Sequence, residues 1–240
     1  MLDIGGSHVK AGFSDAPGEL KVPSGPNLAP EKMMRKLERR LKGERFDRVS
    51  IGYPGVVFHG KIVGEPHNLG RGWVGFDFQR AFHRPIRIVN DAAMQALGSY
   101  HGGRMLFLGL GTGLGSAMVI DGRLEPMELG HLPYKKGLTY EAYVGEAGLK
   151  RLGRKKWEKE VLAIVKVLSE ALEPDYIVLG GGNVRKLKVL PPRAERGDNR
   201  NAILGGLRLW ESEESAPVDA RAAPPPLRRR RRRAPRRRAI

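Results

Sequence analysis

The chain has 240 residues, 40% of them hydrophobic, no cysteine, and a formal net charge of +17. That length accommodates one large domain or two small ones, the lack of cysteine excludes disulfides and thiolate metal sites, and no apolar stretch reaches the roughly 20 residues that a membrane-spanning helix needs. Ten of the 43 Lys and Arg residues fall within residues 221–240, which hold no acid, so more than half of the charge excess belongs to that end and not to the body.

The first strand is confined to "MLDI" before glycines begin, shorter than the five or six residues usual for a buried strand, which leads us to expect that a few N-terminal residues are missing. Nothing there reads as a signal peptide, and the reading is cytoplasmic. "DIGGSHVKAGFSD" predicts a strand, a glycine turn and a second strand over Val9–Ser14. "PEKMMRKLERRL" aligns Met33, Met34, Leu37 and Leu41 on one helical face, with Pro30 suited to the first turn. "DRVSIGYPGVV" is a strand ending at Gly52 and Pro54.

"RPIRIVND" is a further strand, stopping at Asn90 and Asp91 where a helix begins. An amide and a carboxylate there can be a helix N-cap or can place a reactive carboxylate at a strand end. "MLFLGLGTGLGSAMVIDGRL" predicts a strand, a glycine turn, a strand, and a hairpin at Asp121-Gly122. "KKWEKEVLAIVKVLSEALEP" spaces Trp157, Val161, Ile164, Val165, Leu168 and Leu172 as a helix stopped by Pro174. "DYIVLGGGN" is a buried strand running into Gly180, Gly181 and Gly182. "NAILGGLRLW" reads as a closing helix weakened by Gly205 and Gly206. From Glu211 the composition turns to Ser, Ala, Pro and then Arg, and is predicted to be disordered. It reads either as an electrostatic tail or as an accidental extension.

"DIGGSHVKAGFSD" and "LGLGTGLGSAMVID" share one plan about a hundred residues apart: apolar strand, glycine turn with a hydroxyl residue, apolar strand, Asp. Such an echo predicts two related half-domains. Gly109, Gly111, Gly113 and Gly115 have the wrong spacing for a dinucleotide fingerprint, and no turn carries the G-K-[ST] of a Walker A loop. Three glycine turns at strand ends suit a nucleotide or polyphosphate, because glycine lets backbone N–H groups approach phosphate closely.

Taken in chain order, "DIGGSHVKAGF", "GYPGVV", "NLGRGW", "VNDAAMQALG", "LGLGTGLGSAMVIDG", "ELGH", "YEAYVG" and "VLGGGN" resemble the ROK family of sugar kinases and repressors, within the actin, hexokinase and Hsp70 superfamily, and most of all its polyphosphate-type glucokinases. The resemblance spans residues 2–210. It implies an α/β fold of two ribonuclease H-like (actin-like ATPase) domains with a cleft between them. The division would be 1–93 and 94–210, a final helix near 200–210 packing back on the first domain, and a tail over 211–240.

The resemblance also implies roles. Asp91 would be the base for a sugar hydroxyl. Asn90, Glu128, His131, Glu141 and Asn68 would contact the sugar. Gly5, Gly6, Ser7 and Lys10, with Gly111, Thr112 and Gly113, would bind phosphate. Gly180, Gly181 and Gly182 would face a nucleotide, and Asp3 would organise Mg²⁺ through water. The implied activity is transfer of a phosphoryl group from ATP or polyphosphate to the 6-hydroxyl of glucose, with mannose or an amino sugar as alternatives. A non-catalytic sugar- or nucleic-acid-binding regulator is the competing class. It is disfavoured because no DNA-binding module precedes the first loop, which leaves only non-specific nucleic-acid binding by the Arg tail. A homodimer is left open.

One departure stands out. Many family members hold a zinc through cysteines before the last of these glutamates, whereas this chain has Thr139 there and only nine residues between His131 and Glu141. No zinc is expected, and packing has to hold that loop. A basic group, Lys135, Lys136, Lys150, Arg151, Arg154, Lys155 and Lys156, reads either as a polyphosphate surface or as a solvated face.

Overall fold

A computed structural model describes residues 1–15, 18–198 and 200–211. The tail predicted to be disordered lies, apart from Glu211, outside the described residues. Strands β1 (Leu2–Ile4), β2 (His8–Gly12) and β3 (Glu19–Pro23) form an antiparallel meander, with Leu2 opposite Ala11 and Val9 opposite Val22. Helix α1 (Pro30–Arg40) starts on Pro30, as expected, and buries Met33, Met34 and Leu37. Each such side chain removed from water contributes about 1.5–3 kcal/mol. Strand β4 (Val49–Tyr53), buried throughout, then pairs parallel to β1. A small hairpin of β5 (Val57–Phe58) and β6 (Lys61–Ile62) and a short helix α2 (Phe78–Phe82) precede β7 (Ile86–Asn90), which pairs parallel to β4. The first sheet therefore has the order β3-β2-β1-β4-β7.

Helix α3 (Asp91–Ser99) leads to β8 (Arg104–Leu110), β9 (Leu114–Ile120) and β10 (Arg123–Met127), again antiparallel. Asp121 and Gly122 both adopt positive φ, 49° and 82°, at the predicted hairpin. This is the backbone a two-residue turn between twisted strands requires. Helices α4 (Tyr140–Val144), α5 (Glu146–Leu152) and α6 (Arg154–Leu172) follow, then β11 (Tyr176–Gly180) parallel to β8, β12 (Ala194–Arg196) parallel to β11, and α7 (Asn201–Arg208). The second sheet has the order β10-β9-β8-β11-β12. It repeats the first: three antiparallel strands, a helical segment, then two strands added in parallel. The echo in the sequence is thus an echo of a whole sheet.

Each sheet has its own core. Met33, Leu37, Ile51, Tyr53, Trp73 and Phe78 fill the first, and Leu106, Leu108, Trp157, Val161, Ile164 and Leu179 fill the second. Helix α3 emerges from the end of β7 in the first sheet but lays Ala92, Ala93 and Ala96 against Met105, Phe107, Ala117 and Val178 of the second. Helix α7 presses on α3. A Cβ on Gly205 would overlap the Met94 carbonyl oxygen, and one on Gly98 would overlap that of Asn201. Of the two glycines of α7, expected to weaken it by about 0.5–1 kcal/mol each, Gly205 permits this approach and Gly206 admits Met1 and Ser50. The end of α7 is fastened to the first sheet. The Trp210 Nε1 donates to Ser50 Oγ (2.8 Å), Ser50 Oγ donates to the Gly206 carbonyl, and the Arg48 and Arg87 guanidinium groups lie 5.4 and 4.6 Å from the Trp210 ring.

Candidate active site

The candidate residues gather at the carboxyl ends of the parallel strands, where open α/β sheets present their ligand crevices. Gly5 follows β1, Asp91 follows β7, Gly111 follows β8 and Gly181 follows β11. A cavity of about 690 Å³ lies elsewhere, at the opposite end of β1. It is lined by Met1, Phe13, Arg45, Arg48, Phe82 and Trp210 among others and contains none of the candidate residues.

The Asn90–Asp91 pair caps a helix, and Asp91 stands at the end of β7. The Asn90 Oδ1 accepts the Ala92 N–H (2.8 Å) as a helix cap, while its Nδ2 donates to the Gly55 carbonyl (3.1 Å) and ties the start of α3 to the turn after β4. Asp91 Oδ1 accepts the same Ala92 N–H (2.7 Å). Burial pushes the Asp91 carboxyl up to about 7, the negative charge of Asp3 adds to this and that of Glu128 adds less, against the hydrogen bond from Ala92. A carboxyl in that range can hold or release a proton near neutral pH.

Asp3 is also raised above the ordinary aspartate range by burial, offset in part by Lys10, whose Nζ lies 3.8 Å from Asp3 Oδ2. Asp3 and Asp91, the first of which opposes the ionisation of the second, present hard oxygen donors. That donor set fits Mg²⁺, which takes one or two carboxylates and completes its shell with water and phosphate oxygens. Among the described residues no group of three His, Cys, Asp or Glu side chains could hold a metal by protein ligands alone.

The first glycine loop is braced by Gly5 N–H to the His8 carbonyl (3.0 Å) and by the Ser24 hydroxyl to the Gly5 carbonyl (2.6 Å). Gly6 lies against Asn68, since a Cβ at Gly6 would stand 3.3 Å from the Asn68 Cβ. The Asn68 loop is ordered by Glu65, whose carboxylate accepts the N–H groups of Gly72, Trp73 and Val74 at 3.1–3.3 Å. Despite desolvation, those three donors hold Glu65 below its usual range.

The second loop has tighter supports. The Asn183 Nδ2 donates to the Gly111 carbonyl (3.0 Å), and the Glu146 N–H reaches the carbonyls of Gly111 and Thr112 (both 3.1 Å). Gly181, at φ 82°, abuts the Leu110 backbone, which brings the third glycine cluster against this loop. A Cβ at Gly113 would come within 2.5 Å of Glu141 Oε2, so the second loop touches the candidate sugar ligands. Glu128, exposed, precedes a 3-10 turn over Leu129–His131, and His131 Nε2 lies 3.9 Å from Glu141 Oε1. Burial raises the Glu128 carboxyl, with His131 opposing and Glu141 reinforcing the shift.

Asn183, Glu146, Glu65 and Ser24 were not singled out from the sequence. Asn183 had a legible signal, as a polar side chain directly after three glycines, but the backbone donor at Glu146 and the carboxylate at Glu65 leave no such mark. The basic group divides. Lys135 binds Glu160 on α6 (2.8 Å), whereas Lys150 pairs with Glu146 (2.7 Å) beside the second loop and Arg154 donates to the Lys186 carbonyl (2.6 Å).

The sequence pattern of the ROK family matches residues 2–148. A polyphosphate glucokinase of Mycobacterium tuberculosis is 28% identical over 224 residues, covering 85% of this chain and 83% of that protein. An N-acetylmannosamine kinase of Salmonella newport is 27% identical over 139 residues, 51% of this chain and 47% of that one. The inorganic polyphosphate/ATP-glucomannokinase of Arthrobacter sp. strain KM superimposes with a TM-score of 0.74 at 23% identity, over 88% of this chain and 98% of that one.

Proposed function

The chain belongs to the ROK family and has the actin-like ATPase fold of its sugar kinases, and we propose that it transfers a terminal phosphoryl group from polyphosphate or ATP to the 6-hydroxyl of glucose. The observation that carries this is Asp91, a carboxyl raised to about 7 at the end of β7 and electrostatically linked to Asp3 and Glu128. In this reading the two sheets form two lobes with the substrates between them. No described helix is long and apolar enough to cross a membrane, which suits water-soluble substrates.

The hexose is held by Asn90, Glu128, His131 and Glu141, with Asn68 at the margin. Asp91 accepts the proton of the attacking hydroxyl as that oxygen approaches the terminal phosphorus in line. Catalysis of this kind is mostly positioning and charge stabilisation. The N–H groups of Gly5, Gly6, Gly111 and Gly113, with the hydroxyls of Ser7 and Thr112 and the Lys10 ammonium, take up phosphoryl charge. Gly180, Gly181 and Gly182 face a nucleotide when ATP is the donor. Asp3 is the residue that would hold Mg²⁺ through water, and the ion, when bound, supplies charge neutralisation at the phosphoryl oxygens.

Mannose or an N-acylated amino sugar is the second reading for the acceptor, favoured by the likeness to the glucomannokinase and the N-acetylmannosamine kinase. The test is hexose 6-phosphate formation by the purified chain with Mg²⁺, run on glucose, mannose and N-acetylmannosamine with ATP and polyphosphate in parallel and Asp91→Ala as the blank. Turnover that vanishes in the blank supports the kinase. Sugar binding without turnover on any pair would support a regulator instead.

A further inference from the structure

His131 and Glu141 stand at the two ends of one excursion of the chain. Between them the backbone takes positive φ at Lys136 (55°) and Gly137 (73°), and Leu132 and Leu138 are each 41% exposed. Its two ends meet 3.9 Å apart, and its apolar anchors are Tyr140, buried in the core of the second sheet, and Tyr134, packed against it. The excursion is a small hairpin. Pro133 bridges antiparallel to Thr139, the Tyr134 N–H donates to the Leu138 carbonyl (2.7 Å), and the Tyr140 N–H donates to the Leu132 carbonyl (3.0 Å).

One side chain fastens that hairpin to the rest of the protein. The Tyr134 ring stands edge-on to Tyr140 (5.2 Å between centroids) and to Tyr143 (5.1 Å), the flanking rings of α4. Its hydroxyl donates to Glu160 Oε2 on α6 (2.8 Å). Lys135 bonds both oxygens of the same carboxylate at 3.0 and 2.8 Å and lies 4.7 Å from the Tyr134 ring. Glu160 lies one turn after Trp157 and directly before Val161, in the buried run of the longest described helix. Its carboxylate is 20% exposed but the Lys135 side chain is 52% exposed, so the ion pair is a solvated one worth little by itself, and the part-buried bond from the Tyr134 hydroxyl is the firmer half of the clasp. The core of the second sheet closes on α4 and α6 through Trp157, whose Nε1 donates to the Val144 carbonyl (2.7 Å), and Tyr134 packs at its margin.

We propose that Tyr134 and Glu160 are positioning residues for the hexose: they hinge the 131–141 hairpin to α6 so that His131 and Glu141 converge beside Gly113. This rests on the kinase reading above and deepens it. The clasp acts on sugar recognition and not on phosphoryl transfer, because neither residue reaches Asp91 or the first glycine loop, and because what it fastens is the pair of candidate hydroxyl ligands. A site built on a hairpin fixed to a long helix can hold its ligands as closely as one built on the helix itself.

The experiment is initial-rate kinetics on the full chain for Glu160→Ala, Glu160→Gln and Tyr134→Phe, varying hexose and donor separately, with melting temperatures measured alongside. The expected result for Glu160→Ala is a rise in hexose KM of about tenfold, equivalent to about 1.4 kcal/mol of lost sugar affinity, with donor KM and kcat changed less than about twofold. Tyr134→Phe should move hexose KM in the same direction. Glu160→Gln keeps an acceptor for the Tyr134 hydroxyl and should recover most of the hexose affinity. An active unmodified chain whose hexose KM is untouched by Glu160→Ala, or whose donor KM rises equally, overturns this inference alone. An unmodified chain that phosphorylates no hexose overturns the kinase reading and this inference with it.

Discussion

Gly113 and Glu141 cannot both keep their places if residue 113 acquires a side chain. A Cβ there would stand 2.5 Å from Glu141 Oε2 and 3.6 Å from its carboxyl carbon. The glycine of a candidate phosphate loop is therefore also the wall behind a candidate sugar ligand. Gly113→Ala should displace the Glu141 carboxylate and raise hexose KM by about tenfold or more, since a misplaced hydrogen-bonding group loses on the order of 1–3 kcal/mol. Separate KM values for hexose and donor check this. A change confined to the donor would show that the loop yields and Glu141 does not.

Asp91→Asn keeps the shape and can still cap Ala92, but it cannot accept a proton. General-base assistance is worth roughly 10²–10⁴-fold, so kcat should fall by at least about 10²-fold with little change in hexose KM. In the unmodified chain kcat/KM should climb with pH through a limb near 7, where the Asp91 carboxyl ionises. A flat profile between pH 5 and 8 would remove Asp91 from that role.

The same substitution should alter stability in the opposite sense. Asp91 ionises near 4 in an unfolded chain and near 7 in the folded one. Between those values the folded state binds more protons than the unfolded state, so this group's contribution to stability declines as pH rises from about 4 to about 7 and is level above. Asn carries no such loss. Asp91→Asn should match the unmodified chain near pH 4 and exceed it at pH 8 by up to on the order of 3–4 kcal/mol. Urea denaturation at the two pH values reads the difference, and equal margins at both would contradict it.

Gly205→Ala introduces a methyl group where the Met94 carbonyl oxygen already sits. An alanine that would favour an isolated helix should here cost more than about 3 kcal/mol, because α3 and α7 cannot separate without disturbing two cores. A melting temperature at or above that of the unmodified chain would refute the packing.

Lys150 pairs with Glu146, whose N–H in turn supports Gly111 and Thr112, and Lys186 adds to the positive field that lowers Glu146 below its usual range after the Lys150 hydrogen bond. If a polyanion approaches the second loop along this side, Lys150→Glu with Lys186→Glu should raise polyphosphate KM by about tenfold or more at low salt, and ATP KM less. The gap should narrow as ionic strength rises. Parallel loss with both donors would mean that the charges serve the loop and not the chain of phosphates.

Much of this arrangement was legible because it follows from short-range periodicity. The glycine turns after β1 and β8, the strand that stops at Asn90, and the face of α6 through Trp157, Val161, Ile164 and Leu168 all stand in the structure where the sequence patterns put them. β3 and β12 were not legible. Glu19–Pro23 and Ala194–Arg196 are short edge strands with polar residues, each paired on one side only, so no apolar run or two-sided burial marks them. Gly205 and Gly206 looked like faults in a helix because their reasons lie far back in the chain, on α3 for Gly205 and at Met1 and Ser50 for Gly206. The Tyr134–Glu160 bond and the three donors on Glu65 join positions with no periodic relation, so no local pattern announces them.

The grip of α7 on α3 also sets the order in which the protein can become competent as it is synthesised. Arg208 donates to the carbonyls of Leu97 and Tyr100, and the contact with Leu97 spans 111 positions of chain. A nascent chain that has not yet released residues 201–208 from the ribosome already contains both glycine loops and Asp91, but the helix that begins at Asp91 still lacks its partner. Long-range closure of this kind is the slow part of folding. A fragment that stops short of residues 201–208 therefore carries Asp91 and both glycine loops without the helix that packs on α3.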